Sequence, residues 1–195
     1  MFKTFAPGLH RCYEKTLEEV LTKDPTLRTP YNNTAFACTT INFGPRVVTV
    51  PHRDHLNLAY GWCSITALGK FNPQEGGHLV LPELKLAIEF PPGATIFIPS
   101  AMFTHYNLPI EPFECRRTIT QFSAGGLWRW VSYGHQQKGV ATAEGVTPQQ
   151  WWDPGQTLYD IWPVNKAHFV ELDSRAKVTS DHQCVEYTPV PSRLD

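Results

Sequence analysis

The chain has 195 residues, 42% hydrophobic and 12% aromatic, which is enough to bury the core of one domain without disulfide or metal staples. Its 17 Lys and Arg against 18 Asp and Glu leave a formal net charge of −1, and no run of basic residues marks a nucleic-acid or membrane patch. Any anionic partner must therefore be held locally.

Cys12, Cys38, Cys63, Cys115 and Cys184 are odd in number, widely spread and without a Cys-x-x-Cys pair, the usage expected of a reduced intracellular protein, the nucleus included. We find neither a signal-peptide pattern nor an apolar run long enough for a bilayer, so no membrane partner is expected.

Residues 7–21 read as an amphipathic helix. Tyr13, Leu17, Val20 and Leu21 recur at helical spacing, while Glu14, Lys15, Glu18 and Glu19 face water. Asp24-Pro25, Thr29-Pro30 and Asn32-Asn33 then break the chain into a loop. From there the spacing predicts short strands over 34–43, 46–50, 61–68, 78–81, 84–90, 95–98, 103–108 and 117–123, with Gly, Pro and Asn between them. Closely punctuated strands indicate an all-β sandwich or barrel, and the version that carries metals inside is the double-stranded β-helix, or jelly roll. We expect that mainly β core, with its N-terminal helix, over residues 1–126.

Val48-Thr49-Val50-Pro51-His52-Arg53-Asp54-His55-Leu56-Asn57 is an apolar run ending in a His-x-Asp pair. On a strand His52 and Asp54 would point the same way and could grip one ion. Two histidines and one carboxylate hold Fe(II) on one face and leave the other positions open. His105, just beyond the apolar segment 90–99, is the candidate third ligand. Zinc could use the same three residues with water as its fourth ligand, and the ligands alone do not exclude it. His-Arg-Asp also opens a protein-kinase catalytic loop, but the Gly-rich loop, strand lysine and Asp-Phe-Gly that a kinase requires are absent.

Gly76-Gly77 and Pro91-Pro92-Gly93 mark turns. In Cys115-Arg116-Arg117-Thr118-Ile119-Thr120-Gln121-Phe122, alternation groups Arg116 with Thr118, Thr120 and Phe122 on one face and Arg117 with Ile119 and Gln121 on the other. Periodicity does not say which face is inside. An arginine suits a dicarboxylate because its planar fork pairs a carboxylate through two charge-assisted bonds. Residues 127–195 are expected to form an extension packed on the core by its tryptophans, with a helix opening at Thr147-Pro148 and a polar, mobile tail from about Ala176.

Taken together, His52-x-Asp54, His105, Gly76-Gly77 before an apolar strand and Arg116-x-Thr118 resemble the Fe(II)- and 2-oxoglutarate-dependent dioxygenases over roughly residues 35–123. That resemblance selects Arg116 over Arg117. It implies that His52, Asp54 and His105 bind Fe(II), that 2-oxoglutarate chelates the iron, and that Arg116 with Thr118 holds its distal carboxylate. Dioxygen is then the other co-substrate. The run His52-Arg53-Asp54-His55-Leu56-Asn57 is also similar to the His-Arg-Asp-x-His-Asn signature of the ten-eleven-translocation (TET) enzymes, which oxidise 5-methylcytosine. The central block looks like the related TET and base-J-type (JBP-like) domains abundant in mushroom-forming fungi. In this chain the second histidine sits one place early, at His55, and the place of the histidine beyond the arginine falls near Ala124. The likeness implies a methylated nucleobase in DNA or RNA, such as 5-methylcytosine or thymine, as substrate, with Asn57, Arg53 and His55 as substrate-binding residues. Two other readings stand beside it: the same chemistry on a small molecule or protein side chain, and a non-catalytic jelly-roll binding module.

Overall fold

The computed structural model describes residues 1–145 and 185–186. Two helices, α1 (Phe2–Phe5) and α2 (Pro7–Lys23), open the chain. Pro7 sits at the first turn of α2, where its missing N–H is no loss and its fixed φ is already helical. The helix buries Leu9, Tyr13, Thr16, Leu17 and Val20. Thr16 thus joins the expected apolar stripe, and Leu21 is only half-buried.

Strands β1 (Cys38–Asn42), β2 (Cys63–Lys70), β3 (Leu79–Leu81), β4 (Leu86–Ile88), β5 (Thr95–Ile98), β6 (Tyr106–Asn107), β7 (Cys115–Phe122) and β8 (Val185–Glu186) form two four-stranded sheets, ordered β1-β7-β2-β5 and β6-β3-β4-β8. All the pairings are antiparallel. This is the double-stranded β-helix expected from the punctuated strands, with helices flanking it. A 3-10 turn at Pro82–Leu84 separates β3 from β4, because Pro82 cannot donate to a ladder. Helices α3 (Gly125–Ser132) and α4 (Lys138–Ala143) follow β7.

Two apolar clusters hold this arrangement. Between the sheets, Cys63, Ala67, Phe71, Leu79, Phe90 and Ile98 are buried together. On the helical side Phe2, Leu9, Tyr13, Phe36, Leu58 and Trp128 pack together, with Tyr13 donating to the Trp62 carbonyl at 3.0 Å. Trp128 meets Tyr13 edge-on at 4.9 Å and its Nε1–H points to Cys12 Sγ at 3.2 Å, so this tryptophan packs the chain beyond β7 onto the core. Gly77 turns with φ of 73°, and a Cβ there would meet the Phe71 ring at 2.8 Å, so the position requires glycine.

One expected strand does not form. Residues 46–50 run as irregular chain, with one isolated bridge from Arg46 to Arg116 of β7. Pro45 and Pro51 bracket the segment, and each removes a ladder donor and restricts the residue before it. Among the described residues no helix is long and apolar enough to cross a membrane. The helix expected at Thr147-Pro148 and the tail from Ala176 lie outside the described residues.

Candidate metal and dicarboxylate site

His52 and Asp54 come together by a different route from strand alternation. The backbones of His52 and His105 exchange two hydrogen bonds, of 3.2 and 2.9 Å, which fixes one ligand-bearing loop against the other. Asp54 N–H donates to the Ser100 carbonyl at 3.0 Å, and a turn closes from Asn57 N–H to the Asp54 carbonyl at 2.9 Å. The loop is thus pinned at both ends of the His-x-Asp pair.

These constraints bring one ligand atom from each of His52, Asp54 and His105 within 4.8 Å of the others. His52 Nε2 lies 3.6 Å from Asp54 Oδ1, and His105 Nε2 lies 3.8 Å from Asp54 Oδ2. The other ring nitrogens are committed. His52 Nδ1–H donates to the Val50 carbonyl at 2.8 Å and His105 Nδ1–H to the Phe103 carbonyl at 3.1 Å. A neutral imidazole that donates from Nδ1 presents a lone pair at Nε2. Burial holds the His105 ring below the usual histidine range and so favours its neutral form. Three electron-pair donors therefore converge with no proton assigned between them, and a divalent cation satisfies that donor set.

Asn57 supports the carboxylate. Its Nδ2 donates to Asp54 Oδ2 at 3.3 Å and to Ser100 Oγ at 3.1 Å, which orients Asp54 toward the histidines. Ser100 is fully buried, so it is a fixed anchor. Arg53 and His55, the exposed neighbours of the ligands, do not line the cavity. Arg53 instead pairs with Glu83 at 2.7 Å.

The triad opens into a cavity of about 340 Å³ between the sheets, within the usual size range for a small-ligand site. Arg116, Thr118, Thr120 and Phe122 of β7 line it, the face that alternation had grouped together. Arg117 is exposed and reaches only the Phe43 carbonyl, at 3.4 Å. Arg116 is 2% exposed, donates from Nη1 to the Val47 carbonyl at 3.1 Å, and leaves its buried Nε without a partner. Among the described residues no carboxylate pairs with it, and burial lowers its pKa to about 10, still cationic at neutral pH. A buried charge without a counter-ion is costly, by several kcal/mol even after relaxation. An anion entering the cavity would offset that cost. Beside it, Thr118 Oγ1 accepts from Asn42 Nδ2 at 2.8 Å.

Several contributors escaped the sequence reading. Asn107 accepts from Thr49 N–H and Thr49 Oγ1, each at 2.9 Å, and donates to the Val47 and Leu108 carbonyls, so it holds the irregular 47–49 stretch along the cavity wall. It lies two residues after His105, and alternation from that ligand was a usable signal. Ser100 and Glu83 carried none, because each acts through neighbours distant in sequence.

No family model matches the sequence, and no curated protein does. Eighteen solved chains match it. One is NgTET1 in complex with 5mC DNA, at 21% identity and a TM-score of 0.43, covering 58% of this chain and 47% of that one. Another is the viral collagen prolyl hydroxylase vCPH of Paramecium bursaria Chlorella virus-1 in its 2OG complex, at 19% identity and a TM-score of 0.35, covering 55% of this chain and 68% of that one. A third is the polyketide cyclase RemF of Streptomyces resistomycificus, at 26% identity and a TM-score of 0.28, covering 43% of this chain and 54% of that one. This chain spans about half the length of NgTET1. The solved relatives include a TET protein and a 2OG-bound hydroxylase. With all three TM-scores below 0.5, the functional reading rests on the site itself.

Proposed function

We propose that this chain is an Fe(II)- and 2-oxoglutarate-dependent dioxygenase. The observation that carries this reading is the buried Arg116, without a carboxylate partner among the described residues, in the same cavity as the convergent donors of His52, Asp54 and His105. A hydrolytic zinc site needs the three donors but gives no role to a buried cation facing the cavity. A dicarboxylate co-substrate needs both.

In this reading His52 Nε2, Asp54 and His105 Nε2 hold the metal, and the Asp54 charge partly balances it. Arg116 pairs with the far carboxylate of 2-oxoglutarate, and Thr118 fixes the same end through its hydroxyl. Ile65, Leu79 and Phe122 line the cavity with apolar surface that excludes water from the reacting centre. The bound iron and its co-substrates supply the oxidative chemistry, which couples decarboxylation of 2-oxoglutarate to succinate with hydroxylation of a C–H bond.

The best-supported substrate is a methylated nucleobase, 5-methylcytosine or thymine, and the support is the TET-like run from His52 to Asn57. Asn57 would then meet the base through its Oδ1, since its Nδ2 is engaged by Asp54 and Ser100. Arg53 and His55, outside the cavity lining, would touch only the parts of a nucleic acid beyond the extruded base. The test is succinate release with Fe(II), 2-oxoglutarate and oxygen, alongside mass spectrometry of methylated oligonucleotides, single- and double-stranded, and of a small-molecule panel. Succinate release with an oxidised base is the expected result. Oxidation of small molecules alone removes the nucleobase and keeps the dioxygenase. No succinate with any substrate, despite bound iron, leaves a jelly-roll binding module.

A further inference from the structure

The ligand-bearing loops lie outside regular strands, so the ladder that would ordinarily set their spacing is reduced to the single His52–His105 bridge. A further set of side-chain contacts adds to that bridge and to the Asp54–Ser100 bond in holding the two loops together. Arg53 sits between His52 and Asp54, and Thr104 directly precedes His105. Arg53 Nη2 donates to Glu83 Oε1 at 2.7 Å, and Arg53 Nε donates to Thr104 Oγ1 at 3.1 Å. Glu83 Oε1 also accepts from the Thr104 backbone N–H at 3.1 Å. Glu83 belongs to the 3-10 turn between β3 and β4, an element anchored in the second sheet. Two bonds therefore tie both loops to one carboxylate on the outer side of the metal site, and a third joins the loops directly.

We propose that Arg53, Glu83 and Thr104 form a positioning clamp that fixes the distance between the His52–Asp54 loop and His105, and thereby sets the affinity and geometry of the metal site. The inference rests on the reading of His52, Asp54 and His105 as a metal site. An exposed ion pair by itself contributes little to global stability. The clamp therefore acts on spacing, and its removal leaves the fold in place. Partners hydrogen-bonded to metal ligands commonly govern affinity by roughly 10- to 100-fold, and the clamp, one residue along the chain from each candidate ligand, is expected at the low end of that range.

The test is anaerobic Co(II) titration of the full chain, following the visible ligand-field bands, for the parent, Arg53→Gln, Glu83→Ala, Glu83→Gln and the double variant Arg53→Gln/Glu83→Ala. We expect Arg53→Gln and Glu83→Ala each to weaken Co(II) by roughly tenfold and to shift the bands, with thermal midpoints unchanged. The double variant should lose less than the sum of the two single losses, since the Arg53–Glu83 bond is common to both. Glu83→Gln, which keeps an acceptor for the Thr104 N–H, should recover part of the loss. Parent-like affinity and bands in both single variants overturn the clamp while leaving the metal site standing, as do fully additive losses. A parent chain that binds no Co(II) overturns the metal-site reading and the clamp with it.

Discussion

Arg116 and Arg117 are adjacent residues with opposite fates, and the pleat of β7 is the reason. One side chain is buried along the cavity with no carboxylate partner among the described residues, and the other lies on the surface. Arg116→Ala should weaken 2-oxoglutarate by about 2–5 kcal/mol, the usual cost of truncating one partner of a buried charged pair. Arg117→Ala should change it by less than about 1 kcal/mol. Isothermal titration with Co(II)-loaded protein measures both, and the reverse ranking would assign the wrong face of β7. His105 gives a prediction in pH. Its folded pKa is held below the ordinary value of about 6.5 by burial, so the unfolded chain takes up its proton first as pH falls. The contribution of His105 to stability is therefore complete above about pH 6.5 and is lost on acidification below it. Urea denaturation of metal-free protein from pH 8 to pH 5 should show that decline, and His105→Gln should flatten it. An unchanged slope in the variant would reject the assignment.

At the scale of elements, α3 begins at Gly125 and carries Trp128 into the cluster built by α1 and α2. Trp128→Ala should therefore cost about 3–5 kcal/mol, the range for truncating a large buried aromatic, in urea denaturation of the full chain. Trp130→Ala, which removes an edge-on contact with His135 at the half-buried end of α3, should cost less. Equal costs would mean that α3 is not the element that seals this cluster. The loop from 46 to 57 carries the opposite lesson. Apolar alternation there resembles a strand, but two prolines prevent the ladder, and Asn107 with the His52–His105 bridge replaces it.

Across the whole molecule, the cavity gathers groups from stretches far apart in the chain: β1, the 47–57 loop, β2, β3, the segment around His105 and the face of β7. Binding there should stabilise the native state by linkage, about 2.7 kcal/mol when free ligand is a hundred times its dissociation constant. The expected pattern in thermal melts with Co(II) as the metal is ordered. 2-Oxoglutarate raises the midpoint when metal is present, does so far less after metal is removed by chelation, and has almost no effect on Arg116→Ala. A metal-independent shift of the same size would place the dicarboxylate elsewhere.

Local chemistry in the sequence already determined much of this. The period of α2, the punctuated strands and the alternation of β7 are properties of neighbouring residues, so they were legible without coordinates, and so were the donor types that His52, Asp54 and His105 offer. What the sequence could not decide was every relation between distant segments. Periodicity left open which face of β7 is buried, because Arg-Arg-Thr alternates equally well in either orientation, and only the family resemblance chose Arg116. Alternation also gave the wrong reason for the meeting of His52 and Asp54, since the prolines break the strand and the pairing with His105, together with the bonds of Asp54 to Ser100 and Asn57, aligns them. Ser100, Glu83 and Asn107 acquire their roles solely from what the fold brings beside them. A hydrogen bond between residues tens of positions apart leaves no mark on either residue's neighbours in the chain, so only the tertiary structure decided it.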